Sequence, residues 1–193
     1  AGYLDGCAGL GGKTLHLAQL LPDSARLVAV EPSLKRQALL RENMQRLGGP
    51  EIEIQGGTLQ EFAGQRQEGF AGVLIDAPCS GLGVIRRQPD IRWQRSLAAL
   101  TGYQARQREL LAAAAGLVEH GGVLVYATCS IDPMENDEVI GAFLQEQPEF
   151  SLSPAREYLP EAAKGFCDGR GFLKTTPEQG LDGFFAARME RKA

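Results

Sequence analysis

Short apolar segments alternate with longer amphipathic ones along the chain. Five apolar segments of strand length predict β-strands at Tyr3–Asp5, Leu27–Glu31, Glu51–Gln55, Val73–Asp76 and Val123–Ala127. Longer segments with one apolar face predict helices at Lys13–Leu21, Ser33–Leu47, Leu97–Glu119 and Glu135–Gln147, the second of them ending at Gly48-Gly49. Two late strands are predicted at Phe150–Leu152 and Phe184–Arg188, and loops at Ala77–Arg95 and Pro160–Gly180. The alternation predicts an α/β fold with a mostly parallel, seven-stranded sheet and helices on both faces.

Bulk composition is that of an ordinary globular domain. The chain has 193 residues, of which 44% are hydrophobic and 23% charged, which fits one domain with a sizeable core. No apolar run reaches the roughly 18–20 residues of a membrane span, and no secretion signal opens the chain, so we expect a cytoplasmic protein. A strand begins at Tyr3 without an initiator Met or lead-in, which indicates a piece of a longer protein.

The net charge of −4 is unusual for a protein that binds nucleic acid, since phosphate binding usually needs a basic surface. The distribution of charged residues along the chain is more favourable to nucleic-acid binding than the net charge is. Arg86, Arg87, Arg92 and Arg95 lie close together in the predicted loop, against only Asp90. A local basic patch of this kind favours phosphate contacts over an ordinary solvated surface.

A glycine-rich turn, Asp5–Thr14, follows the first predicted strand, and Glu31 ends the second. A P-loop would need glycine at position 7, where the chain has cysteine, so that motif fails. A dinucleotide fingerprint starting at Gly9 would place Thr14 at its third glycine position. An S-adenosylmethionine site also uses a glycine-rich first turn and an acid that accepts bonds from ribose hydroxyls. The turn alone leaves nicotinamide and adenosylmethionine both open, with a simple tight turn as the third possibility.

Two of the four cysteines follow neighbouring predicted strands. Cys79 comes after the fourth strand and Cys129 after the fifth, both in turns at the sheet edge where α/β proteins bind ligands. No pair has Cys-x-x-Cys spacing, so no metal site is expected. A thiolate that adds to carbon 6 of cytosine makes carbon 5 nucleophilic toward a methyl donor, and a second group then assists elimination. Asp76 is placed to hold the ring nitrogen or the amine of the base.

Three segments carry a resemblance to a known family. Asp76–Trp93, Thr128–Asn136 and Gly183–Arg188 resemble motifs of RNA cytosine-5 methyltransferases of the Sun (NOL-NOP-Sun) type, and are most similar to bacterial enzymes that modify 16S ribosomal RNA. The resemblance covers about residues 4 to 190. It implies a Rossmann-like class I methyltransferase fold, with residues 1–193 as the catalytic domain, an RNA-binding region preceding it, and rRNA as a more fitting substrate than tRNA.

The resemblance also implies roles by position. Cys129 matches the nucleophile, Cys79 the residue that assists product release, and Asp76 a carboxylate near the methyl donor. Arg86, Arg87 and Arg92 are the candidate RNA-binding residues. The S-adenosylmethionine contacts are carried over to Cys7, Ala8, Gly9, Leu10, Gly11, Gly12, Lys13, Glu31, Gly57 and Asp76.

The chain departs from the family pattern at three cofactor positions. Gly9-Leu10 replaces the usual Ala-Pro, Glu31 replaces aspartate, and Gly57 stands where an aspartate usually lies near adenine. A lost adenine contact costs about 1 kcal/mol in affinity. A nicotinamide-dependent oxidoreductase and an RNA-binding domain that has lost its cofactor therefore remain as alternatives.

Other residues have two interpretations. Trp93 either stacks on a base or packs in the loop, and Lys13 either orients Asp76 or is a solvated residue at a helix start. Cys7 is interpreted as a packing residue. The acidic run that begins at Glu135 is interpreted as favouring a helix N-terminus.

Overall fold

A computed structural model describes residues 1–48, 51–66 and 69–193. The second predicted helix ends at Leu47 as expected, and of the Gly48-Gly49 pair that was predicted to stop it, Gly49 lies outside these residues. The strands are β1 (Gly2–Asp5), β2 (Arg26–Val30), β3 (Ile52–Gln55), β4 (Phe70–Asp76), β5 (Val118–Thr128), β6 (Phe150–Ser153), β7 (Leu173–Thr175) and β8 (Phe184–Arg191). The helices are α1 (Gly12–Leu20), α2 (Leu34–Leu47), α3 (Leu59–Gln65), α4 (Ile91–Gln94), α5 (Leu97–Ala115) and α6 (Asp137–Glu146).

All eight strands form one sheet. Its order is β3-β2-β1-β4-β5-β8-β6, and β7 pairs with β8 off this path. The first five strands run parallel, whereas β8 is antiparallel to β5, β6 and β7. The α/β class and the mostly parallel sheet are confirmed, but the predicted count of seven strands is one short. The missing strand is β7, which lies inside the Gly- and Pro-broken segment 160–180 that was predicted to be loop.

Helices cover both faces of the sheet, as predicted. Alternate residues of β2 enter two separate cores: Val28 and Val30 face the larger one, and Leu27 and Ala29 face the smaller. The larger core is closed by α3, α5 and α6, and the smaller by α1 and α2. This alternation is what a strand buried on both faces requires.

The predicted helix Leu97–Glu119 is too long. α5 ends at Ala115, and β5 begins at Val118, five residues before the predicted strand. The cause is a partner distant in sequence: Phe70 donates its N–H to the Leu117 carbonyl at 2.7 Å and pairs with Val118. Tertiary strand pairing here overrides the local helical pattern.

The helix α3 was not predicted, although its sequence contains a start signal. Thr58 and Glu61 form a reciprocal capping box, in which each side chain accepts from the other residue's backbone N–H. The Thr-x-x-Glu spacing is typical of helix starts, so the start of α3 could have been predicted from the sequence. The predicted loop Ala77–Arg95 likewise contains α4 and a 3₁₀ turn at Leu82–Val84.

The carboxyl ends of β1, β4 and β5 are neighbours in the sheet. Asp5 pairs with Leu74, and Asp76 pairs with Ala127, so the segments that follow these strands leave from one edge. None of the helices in the described ranges has the length and hydrophobicity needed to cross a membrane.

Candidate active site

The glycine-rich turn is held by Asp5 at the end of β1. Its carboxylate accepts the Thr14 hydroxyl at 2.7 Å and the Cys7 N–H at 3.2 Å, which ties both ends of the turn to one buried side chain. Burial raises the pKa of Asp5 to about 6. Burial also raises the pKa of the Cys7 thiol to about 12, and Cys7 packs against the larger core, in keeping with a packing role.

Backbone conformation explains one glycine of the turn. Gly11 has φ +90°, and a Cβ there would collide with Leu40 of α2. Only glycine accepts this position without strain. The neighbouring Leu10 side chain is about half exposed, and its carbonyl accepts from the Asn43 amide at 3.0 Å. Leu10 therefore takes part in the turn through its backbone carbonyl, while about half of its side chain is exposed.

Glu31, directly after β2, is buried and bound to the same turn. One carboxylate oxygen accepts the Gly9 N–H at 3.0 Å, and the other accepts the Ser33 N–H at 2.8 Å. The Arg36 guanidinium lies 3.8 Å away. Each carboxylate oxygen has two lone pairs, so this side chain still has acceptor capacity for ligand hydroxyls.

A cleft of about 660 Å³ opens beside these residues. Its volume lies within the range of small-molecule sites. Among the residues carried over from the family, Cys7, Gly9, Glu31 and Asp76 line it. Further lining comes from residues that were not among the predicted cofactor contacts, namely Gly6, Pro32, Arg36, Thr58, Leu59, Gln60, Pro78, Arg106, Glu109 and Leu110.

Gly57 lies just before α3, next to this cleft. Its φ is +90°, and a Cβ there would meet the Glu61 carboxylate at 2.9 Å. The capping box occupies the space that an acidic side chain would need. At this point of the cleft the lining comes from the next three residues, Thr58–Gln60.

Lys13 joins the first turn of α1 to the end of β4. Its ammonium lies 2.6 Å from Asp76 Oδ2 and 5.4 Å from the centre of the Phe184 ring. Of its two interpretations, the structure supports the one in which Lys13 orients Asp76. The Lys13 side chain is 41% exposed and that of Asp76 33%, and Asp76 lines the cleft, so a ligand there has access to its carboxylate.

The two predicted thiols meet at the edge of the sheet. The Sγ atoms of Cys79 and Cys129 are 3.2 Å apart, although the residues are separated by 50 positions. The hydrogen bond shared by the two thiols lowers the pKa of Cys129, and the nearby Lys13 charge acts in the same direction. The same hydrogen bond, together with burial, raises the pKa of Cys79. Of the two thiols, Cys129 therefore ionises more readily.

Buried polar residues next to the thiols hold the two loops together. Ser80 and Ser130, which each follow a cysteine, have hydroxyls 3.2 Å apart. Glu135 is fully buried and accepts the Ser80 N–H at 2.8 Å, and Asn136 donates to the Ser130 carbonyl at 2.9 Å. From the sequence these two residues belong to the Thr128–Asn136 motif and were interpreted as favouring a helix start, and the structure adds tertiary contacts to both.

Two glycines let the backbone of the Cys79 loop reach the Cys129 loop. Gly83 donates to the Cys129 carbonyl at 3.0 Å, and its own carbonyl accepts from Gly183 at 2.7 Å. A Cβ on Gly83 would overlap the Gly183 carbonyl and lie 2.8 Å from the Cys129 oxygen. Neither glycine was singled out from the sequence.

The candidate RNA-binding arginines follow Gly83 in the same segment, Ala77–Arg95. Arg87 contacts Asp182 at 2.6 Å, and Arg86 contacts the same carboxylate at 3.3 Å, while both side chains stay more than half exposed. Arg92 lies in α4, with its guanidinium 5.9 Å from the Trp93 ring centre. Trp93 is 82% exposed, so it does not pack in the loop core. In the ranges that the structure describes, no cluster of His, Cys, Asp and Glu is suited to hold a metal ion.

Comparison with known proteins shows the family of this chain. A family model described as 16S rRNA methyltransferase RsmB/F matches residues 2–190. A "Probable ribosomal RNA small subunit methyltransferase B" from Bacillus subtilis is 39% identical over 98% of this chain and 43% of its own length. The "Ribosomal RNA small subunit methyltransferase B" of Yersinia pseudotuberculosis is 39% identical over 98% of this chain and 42% of its own.

A solved structure has a similar fold. NSun6 from Pyrococcus horikoshii, crystallised with SFG, superimposes with a TM-score of 0.85 at 26% identity, over 99% of this chain and 48% of that one. The chain thus spans less than half the length of these relatives. The match nevertheless runs from β1 to β8 and includes both thiol loops, and the chain belongs to the 16S rRNA methyltransferase RsmB/F family.

Proposed function

We propose that this chain transfers a methyl group from S-adenosylmethionine to carbon 5 of a cytosine in small-subunit rRNA, through a covalent bond between Cys129 and the base. The observation that carries the proposal is the 3.2 Å approach of the Cys79 and Cys129 sulfurs at neighbouring strand ends. A single thiol in a turn is often a packing residue. Two thiols in contact beside a cofactor-sized cleft match a reaction that needs both a nucleophile and a second group for elimination.

The cleft supports the choice of cofactor. Glu31 and Asp76 both line it, and both are positions to which the resemblance assigns S-adenosylmethionine contacts. When bound there, the cofactor supplies an electrophilic methyl group. The nicotinamide interpretation of the same turn has no support from the relatives, whose names describe methyltransferases.

The charge states of the thiols support the division of labour. Cys129 is the better candidate for the nucleophile, because its lowered pKa gives it the larger thiolate fraction of the two. Its sulfur bonds to carbon 6 and moves the ring electron pair to carbon 5, which would take the methyl group as the bond between that group and the cofactor sulfur breaks. A base then removes the carbon 5 proton, and the bond between the Cys129 sulfur and carbon 6 breaks to restore the ring.

Cys79 ionises more readily after the first step than before it. Its pKa is raised by its hydrogen bond to Cys129, by burial and by the negative charge on that partner. When Cys129 is bonded to cytosine, the first and third of these causes are removed, and only burial remains. The Cys79 thiol then ionises more readily, so it is able to assist removal of the carbon 5 proton when that proton has to leave.

A trapping experiment tests the proposal. The wild-type chain and the Cys79→Ala, Cys129→Ala and doubly substituted variants are mixed with a 16S rRNA transcript and S-adenosylmethionine, and denaturing gels are used to detect a protein–RNA band. We expect a stable adduct with Cys79→Ala and none with either variant that lacks Cys129. Nucleoside analysis of wild-type product should find 5-methylcytidine.

Two other outcomes would change the assignment. An adduct that needs Cys79 and not Cys129 would reverse the roles of the thiols. If no variant forms an adduct, calorimetry with S-adenosylmethionine decides the next step. No heat of binding at millimolar ligand would favour an RNA-binding domain that has lost its cofactor, as the changes at Leu10, Glu31 and Gly57 suggest.

A further inference from the structure

Glu135 has no assigned role, yet it is among the most completely bound side chains of the site. It is fully buried. One carboxylate oxygen accepts the Ser80 N–H at 2.8 Å and the Gln107 amide at 3.0 Å, and the other accepts the Ser80 hydroxyl. A buried carboxylate is costly unless such bonds compensate for lost solvation. Its bonds are directed at the residue that follows Cys79.

The next residue, Asn136, makes matching contacts around the other thiol. Its amide donates to the Ser130 carbonyl at 2.9 Å and accepts the Thr128 hydroxyl at 2.6 Å. Thr128 and Ser130 are the two neighbours of Cys129. Two consecutive residues thus hold the two thiol loops, one loop each, and the Ser80 and Ser130 hydroxyls join the loops at 3.2 Å.

The position of Glu135 is itself fixed from the core. Its backbone carbonyl accepts the hydroxyl of Tyr126, a fully buried residue of β5, at 2.6 Å. Gln107 of α5 donates both to Glu135 and to the Pro78 carbonyl at 3.1 Å, directly before Cys79. The carboxylate therefore ties the Cys79 loop to a strand and a helix of the folded core.

We infer that Glu135 is a positioning residue that sets the separation of the Cys79 and Cys129 sulfurs. It does not line the cleft, so it acts through Ser80 and Gln107 and not on the cofactor. Its importance for catalysis rests on the proposed function, because only a reaction that uses both thiols depends on their spacing. A displacement of about 1 Å in reacting groups costs roughly 100-fold in rate.

Disulfide formation measures this spacing without RNA or cofactor. Diamide oxidises the two thiols to a disulfide and is itself reduced to the hydrazine, taking up both hydrogens. Mass spectrometry of the Cys79–Cys129 peptide pair follows the rate in wild type, Glu135→Ala, Glu135→Gln and Glu138→Gln. The last variant is the matched control, since Glu138 is an exposed acid in the same run that bonds Gln104.

Glu135→Ala leaves the Ser80 N–H and the Gln107 amide without their acceptor, and we expect it to slow the cross-link roughly tenfold or more. In Glu135→Gln one oxygen is kept, but the new amide N–H group faces the Ser80 hydroxyl, so we expect a smaller slowing, roughly threefold. The control should cross-link at the wild-type rate. If the alanine variant does not fold, as judged by circular dichroism, the glutamine variant carries the test.

The inference is overturned if both folded Glu135 variants cross-link within about twofold of wild type, or if wild type does not cross-link at all. A second measurement separates this outcome from failure of the proposed function. In an active enzyme, Glu135→Gln should lower kcat and leave the Kd of S-adenosylmethionine unchanged. If cross-linking depends on Glu135 but no RNA adduct ever forms, the positioning role stands and the proposed reaction falls.

Discussion

The two halves of the site are built in different ways. In the cofactor half, the turn from Gly6 to Gly12 is shaped by backbone conformation and by two buried carboxylates that accept backbone N–H groups. In the thiol half, side chains bind side chains: Ser80, Ser130, Glu135 and Gln107 form a buried polar network around the cysteines.

This contrast bears on how each half tolerates substitution. In the cofactor half, much of the shape comes from backbone groups, which many side chains leave unchanged. In the thiol half, each side chain of the buried polar network has a specific partner, and a half-satisfied network is costly. The comparison predicts that small changes harm the thiol half more than the cofactor half.

The largest effect should come from the close backbone approach in the thiol half. In Gly83→Ala the added methyl would overlap the Gly183 carbonyl and press on the Cys129 oxygen. We expect methyl transfer to fall by about 100-fold or more, because the thiols shift, and stability to fall by about 1–3 kcal/mol. Urea unfolding and a methylation assay measure the two effects.

Gly102→Ala is the matched control, since Gly102 lies in α5 and nothing lies within 4 Å of an added Cβ. It should leave activity unchanged. Wild-type activity in Gly83→Ala would break the comparison, because it would show that the thiol half tolerates backbone displacement.

A smaller effect is expected in the cofactor half. Glu31→Ala removes the acceptor of the Gly9 and Ser33 N–H groups and of the expected ribose hydroxyls. We expect the Kd of S-adenosylmethionine to rise roughly 10- to 100-fold, which corresponds to the free energy of hydrogen bonds to a charged group. Glu31→Asp should change it by only about threefold, since the family usually has aspartate there.

Calorimetry gives these dissociation constants, with Glu42→Ala as the control because Glu42 is an exposed acid on α2. A Glu31→Ala variant that binds as tightly as wild type would remove Glu31 from the cofactor site. If Glu31→Asp raises the Kd of S-adenosylmethionine as much as Glu31→Ala does, the cofactor half is no more tolerant of substitution than the thiol half.

The smallest effect concerns the pH dependence of thiol reactivity. Because the pKa of Cys129 is lowered, first by the bond from Cys79, its thiolate persists to lower pH than that of an ordinary cysteine. Alkylation by iodoacetamide, followed on the Cys129 peptide, should rise with pH and reach a plateau above this pKa. In Cys79→Ala the midpoint should shift to higher pH, whereas Cys167→Ala should leave it in place. An unchanged midpoint in Cys79→Ala would mean that the two thiols do not interact.

The sequence predicted the features that depend on local pattern and strand ends. The sheet class, the five parallel strands and the meeting of Cys79 with Cys129 follow from strands that end at one edge. The pairing of β7 with β8 and the early start of β5 did not follow, because they depend on partners far away in sequence.

The role of Glu135 was hidden for the same reason. An acidic residue before a helix is locally consistent with stabilising the helix N-terminus, so the pattern gives no sign of a bond to Ser80, 55 positions away. The opposite holds for α3, where the Thr58–Glu61 capping box was present in the sequence and was overlooked. Local sequence signals thus predict local structure, whereas buried polar contacts between distant loops can be identified only once the fold is known.

The place of β8 in the sheet has a consequence for synthesis. β8 lies between β5 and β6, and Gly183 at its entrance bonds Gly83 of the Cys79 loop. On the ribosome, the glycine-rich turn and both cysteines emerge well before these residues do. A nascent chain therefore carries two thiols whose loops lack their final contacts until synthesis has passed Arg191, and the pair reaches its final arrangement only when translation of this region is complete.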